Sequence, residues 1–122
     1  MPIISSSSVR VFYPKFSKDD LIQRIKEKIE ALDNKLPLIL VSLFGSYAKG
    51  NYTVASDIDL MVIYEGKPRK EAYSIVKKTL SLPLLEPHVY SEDEYKELGG
   101  TITNMIKDGI IIYQDKMPLK MD

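Results

Sequence analysis

The chain contains no cysteine and no tryptophan, only one histidine, no excess charge of either sign and no long apolar run. Each absence removes a class of function. Without cysteine there are no disulfides, thiol nucleophiles or thiolate zinc sites. His88, alone, argues against a conventional zinc site or a Ser-His-Asp triad. Lysine and arginine total 17, as do aspartate and glutamate, so no broad basic surface for capturing nucleic acid is expected. No apolar run approaches the ~18 residues of a membrane span. The start, Met1-Pro2-Ile3-Ile4 and then a serine run, lacks the basic head and long apolar stretch of a signal peptide. A cytoplasmic protein is the expectation.

What is present reads as one globular domain spanning residues 1–122, with 44% apolar and 28% charged residues. That length supports one core, but not a catalytic domain plus a separate substrate domain. Residues 9–13, VRVFY, are β-prone and stop at Pro14, which suits an extended arm or an edge strand. Ser17 can cap a helix whose apolar positions Leu21, Ile22, Ile25, Ile29 and Leu32 keep helical spacing. LILVSLF at 38–44 is a short branched apolar run, the pattern of a buried strand. DIDLMVIY at 57–64 is a second strand.

Gly66 to Pro68 makes a turn, and Pro68 fits the first turn of a helix with Ala72, Ile75, Val76, Thr79 and Leu80 on one face. LLEPHVY at 84–90 is a third strand. Ser91 and Glu94 form a capping box for a short helix with Tyr95 and Leu98 turned inward. Gly99-Gly100 would end that helix, 102–108 would form a further helical turn, and IIIY at 110–113 would be the last strand. The fold class is α/β, with helices packed on a sheet.

Two features carry chemistry. Side chains alternate in a strand, so Asp57, Asp59, Met61 and Ile63 share one face, and Ile58, Leu60, Val62 and Tyr64 the other. Two carboxylates side by side repel unless protons or cations neutralise them, and oxygen-only donors select hard cations such as magnesium. Upstream, Gly45-Ser46 leaves an apolar strand and opens a short helical turn through Ala48. Glycine there lets the backbone approach a ligand, and amides at a helix start attract phosphate. Alone, Asp-x-Asp is commonly a solvated strand entry and Gly-Ser commonly a turn. Together, each at a strand edge and ten residues apart, they point to magnesium and a nucleoside triphosphate.

Gly45-Ser46 followed by Asp57-x-Asp59 resembles the signature of nucleotidyltransferases of the DNA polymerase beta superfamily. With its short length and the stretches GSYAKG and SDIDLMV, the chain looks like the minimal nucleotidyltransferases, or MNT proteins, over roughly residues 36–113. The resemblance implies a mixed sheet flanked by helices. It also implies two magnesium ions held by Asp57, Asp59 and a third carboxylate on a later strand, where Glu86 is the acid present. Glu86 also reads as a charged residue on an edge strand, as Pro87 beside it hints. His88, on the same face as Glu86, could hydrogen-bond a carboxylate or phosphate, or could be a partly exposed strand histidine. Gly45, Ser46 and Lys49 would bind the phosphates, Lys49 otherwise being a solvated lysine.

The implied reaction moves a nucleoside monophosphate, AMP from ATP, to a hydroxyl acceptor. The implied acceptor is a small helical HEPN-type partner for which the chain would serve as antitoxin. Tyr47 and Tyr52 near the site are candidate anchors for it, or ordinary loop packing. A silent member acting by binding alone and a nucleotide-binding sensor are the other readings. Association of the chain with itself is compatible with all three.

Overall fold

The computed structural model describes residues 17–53 and 56–115. The arm or strand expected at residues 9–13 lies outside them. The elements are α1 (Lys18–Lys35), β1 (Leu38–Phe44), α2 (Ser46–Lys49), β2 (Ile58–Tyr64), α3 (Ala72–Leu80), β3 (Leu85–Ser91), α4 (Glu92–Ile106) and β4 (Ile110–Gln114).

Helix α1 begins where Ser17 Oγ accepts the Asp20 amide at 3.1 Å. Asp19 and Asp20 in its first turn and Lys35 in its last complement the helix dipole. It stops because Pro37 disfavours helical backbone at the residue before it, and Leu36 is extended at φ −148 and ψ 95. Asp33 Oδ1 then accepts the Leu38 amide at 2.9 Å, tying the helix end to the start of β1.

The sheet has the order β3-β2-β1-β4. β1 runs antiparallel to β2 and β4, and β2 runs parallel to β3, with α3 as the crossover a parallel pair requires. β1 is apolar along most of its length because both of its faces are covered. On one side Leu21, Ile25 and Leu32 of α1 and Val76 and Leu80 of α3 pack with Val41, Leu43, Leu60 and Val62. On the other, Tyr95 and Ile102 of α4 pack with Ile39, Leu40, Met61 and Ile63. The expected alternation of β2 is therefore present. Its Ile58–Leu60–Val62–Tyr64 face lies in the first core, and its aspartate face is the one α4 covers further along the strand.

Three expectations are corrected. Pro68 does not enter a helix: α3 starts at Ala72, after a segment in which the Tyr64 hydroxyl accepts the Arg69 amide at 2.7 Å. Gly99-Gly100 does not divide two helices, since α4 runs unbroken for 15 residues. The predicted capping box starts it, with Ser91 Oγ accepting from the Glu94 amide and the Glu94 carboxylate accepting from the Ser91 amide. Each interior glycine costs about 1 kcal/mol relative to alanine, but Gly99 lies on the buried stripe with Tyr95 and Ile102, so packing overrides propensity. Leu98 faces outward and is 43% exposed; the inward stripe passes through Gly99 instead.

β3 is an edge strand, as Pro87 suggested. The Leu84 carbonyl turns toward β2, where it accepts the Ile58 amide at 2.8 Å. By alternation Leu85 and Pro87 present their backbone to the open side. There Lys77 of α3 donates its ammonium to the Leu85 carbonyl at 2.6 Å, and Pro87 has no N–H to offer. Leu84, expected inside this strand, precedes it with φ +62.

Candidate active site

The site is built at the end of the sheet where β1 stops and β2 begins. β1 leaves the core at Phe44, and Gly45 turns the chain at φ +77, ψ −150 into the short helix α2. Gly50, at φ +84, ends it. Ser46 and Lys49 are thus the first and last residues of one turn, Ser46 partly buried and Lys49 exposed.

Strand register brings the acids to this loop. Phe44 is paired with Asp59 across β1 and β2, and Asp59 with Glu86 across β2 and β3. Residues paired in register share a face, so Phe44, Asp59 and Glu86 form a row across three strands. Asp59 is partly buried, and its surroundings are specific. A Cβ at position 45 would run into the Asp59 carboxylate, so glycine is required there both by backbone angle and by this contact. On its other side, His88 Nε2 stands 3.5 Å from Asp59 Oδ1. The imidazole is steadied by an edge-on contact with Phe44, ring centroids 5.0 Å apart.

Asp57 is exposed and immediately precedes β2, which begins one residue later than expected. Glu86 is exposed on β3. Among the described residues no three of Asp, Glu, His or Cys stand together closely enough to form a ready-made metal site. Asp59 and Glu86 are brought together by register, with Asp57 two residues from Asp59 at the strand's entry. All three are carboxylates, the donor class that suits a hard cation.

Of the two readings of the tyrosines, loop packing is the one the structure displays. Tyr47 is buried, and Tyr52 stacks on it with ring centroids 4.2 Å apart and planes 11° off parallel. Burial chiefly, and Tyr52 beside it, raise the Tyr47 phenol above its ordinary pKa. The Tyr52 hydroxyl accepts the Lys18 amide at 3.0 Å, joining the loop after α2 to the start of α1. Both rings hold the site's own loop in place. Gly45 thus makes room for the Asp59 carboxylate as well as for a ligand, and the partner of His88 is Asp59. The signal missing from the sequence was strand register, which no residue pattern displays.

The chain is thus a four-stranded mixed sheet flanked by helices, with the Gly45 turn set against Asp59. The family model for the nucleotidyltransferase domain matches residues 12–113, and the chain belongs to that family. A proposed protein adenylyltransferase of Methanocaldococcus jannaschii is 37% identical over 60 residues, which is 48% of this chain. The match spans 59% of that relative's length. A proposed nucleotidyltransferase from Sulfolobus solfataricus shares the fold at a TM-score of 0.56, with 22% identity, over 86% of this chain and 90% of that one. So does a chain in the complex of a tri-AMPylated HEPN toxin with its MNT antitoxin from Shewanella oneidensis. There the TM-score is 0.51 and the identity 20%, over 78% of this chain and 74% of that one. Among the described residues no helix is long and apolar enough to cross a membrane.

Proposed function

We propose that the chain transfers AMP from ATP, with magnesium, to a hydroxyl of a protein acceptor. The observation that carries this is the row in which Gly45 abuts Asp59 and Asp59 pairs with Glu86, putting a phosphate-type turn against carboxylates of two strands. The Ser46 hydroxyl and the Gly45 amide hold the outer phosphates, and Lys49 adds positive charge beside them. Asp57, Asp59 and Glu86 would hold the ions. Magnesium held there would supply charge neutralisation on the triphosphate and a lower pKa for the acceptor hydroxyl. The hydroxyl oxygen bonds to the α-phosphorus as the bond to the bridging oxygen of the β-phosphate breaks. Pyrophosphate leaves, and the hydroxyl proton passes to water. Rate enhancement then comes from positioning and electrostatics, which suits a chain without cysteine and with one histidine.

The acceptor we favour is a small helical HEPN-type protein, with this chain as its antitoxin. The adenylyltransferase relative and the fold shared with a chain of an AMPylated toxin complex both support it. The test is to mix the chain with such a partner, ATP and magnesium and weigh the products. A partner heavier by AMP supports the reading; an unmodified partner that stays bound favours a silent antitoxin. Magnesium titration separates the two, because only the enzyme needs the ion.

A further inference from the structure

Two described residues other than glycine have positive φ, Ser81 at 48 and Leu84 at 62. Ser81 has a structural reason: it caps α3, and its amide donates to the Lys77 carbonyl at 3.0 Å. Leu84 caps no helix. A leucine held in this region carries a steric cost that glycine would not. Burial of its own side chain offsets that cost only in part, because Leu84 is 51% exposed. Its carbonyl bonds the Ile58 amide, fixing the turn beside Asp57 and Asp59, but glycine would make the same backbone bond. Its neighbours are accounted for, with Leu85 buried and Glu86 in register with Asp59. Leu84 is thus a half-exposed leucine at a strained backbone position, bonded through its carbonyl to Ile58 between Asp57 and Asp59.

The order of groups across the site says what it meets. From β1 toward β3 come Gly45 and Ser46, then Asp59, then Glu86, with Leu84 just ahead of β3. In phosphoryl transfer the attacking and leaving oxygens lie roughly in line. With pyrophosphate on the Gly45–Ser46 side, the acceptor enters from the β3 side. We infer that Leu84 is a specificity-determining residue, making the apolar contact to a protein acceptor whose reactive hydroxyl is flanked by apolar side chains. This rests on the nucleotidyl-transfer reading above, and the experiment separates the two.

Wild type and Leu84→Gly are compared on the peptides Leu-Tyr-Leu and Gly-Tyr-Gly, with ATP and magnesium. Wild type should prefer the leucine-flanked peptide by about tenfold or more in kcat/KM, the scale of discrimination an apolar pocket provides. Leu84→Gly should lose that preference, keep its affinity for magnesium-ATP, and melt at the same temperature or higher because the strain is relieved. A preference unchanged by the substitution, no preference or no transfer in wild type, or a lower melting temperature for Leu84→Gly would each overturn the inference. Wild type failing to bind magnesium-ATP in calorimetry would instead bring down the nucleotidyl-transfer reading on which it rests.

Discussion

Gly45 and Asp59 touch where β1 ends and β2 begins, so closely that any side chain at position 45 would collide with the carboxylate. The Gly45 turn and the acidic strand are therefore one unit. Altering the turn displaces the acid.

Gly45→Ala should consequently do two separable things. The backbone at φ +77, ψ −150 is essentially reserved for glycine and costs alanine about 1–3 kcal/mol, measurable as a shift in urea unfolding. The displaced Asp59 should reduce nucleotide transfer beyond what the stability loss explains, assayed at a temperature where both proteins are folded. Transfer falling only in step with the folded fraction would count against the unit.

Asp57→Asn and Asp59→Asn should each abolish magnesium-dependent transfer while preserving the fold. Removing one of two neighbouring negative charges relieves repulsion, so stability without metal should hold or rise. Thermal melts and an AMP-transfer assay read the two effects side by side, and near-normal transfer by either variant would sink the carboxylate reading.

Ser46→Ala removes about one hydrogen bond to a charged group, worth ~1.5–3 kcal/mol. Calorimetry with ATP and magnesium should show affinity weakened by roughly 10- to 150-fold. Identical affinity would move the phosphates away from α2.

Tyr52→Phe leaves the Lys18 amide without its acceptor while keeping the stack on Tyr47. The expected loss is about 0.5–1.5 kcal/mol of stability, with magnesium-ATP affinity unchanged. A loss of nucleotide affinity at constant stability would show that the ring serves the site directly and not only the loop.

The elements were legible wherever local chemistry decides them. Ser17 and the Ser91–Glu94 box mark helix starts, and the apolar run 38–44 and the alternation after Asp57 mark strands. Asp59 and Glu86 could be named from sequence as acids on different strands. Their adjacency could not, because it depends on which strands pair and in what register. The same limit hid the neighbours of His88. Gly99-Gly100 misled because glycine's intrinsic cost is visible in a sequence while the sheet that buries Gly99 is not. Tyr47 and Tyr52 stayed ambiguous because an aromatic pair beside a site reads alike whether it faces a partner or, as here, packs in its own loop. Leu84 was invisible because leucine gives no sign of a left-handed backbone.

The open side of β3 has a bearing on how the protein behaves in a crowded solution. A strand that adds to a sheet needs alternating donors and acceptors in reach. Here the Leu85 acceptor is already taken by Lys77, and the donor that position 87 would supply does not exist. This margin of the sheet is a poor template for aggregation or fibril growth. Replacing Lys77 or Pro87 would open it, and the first symptom would be turbidity at high concentration, not loss of fold.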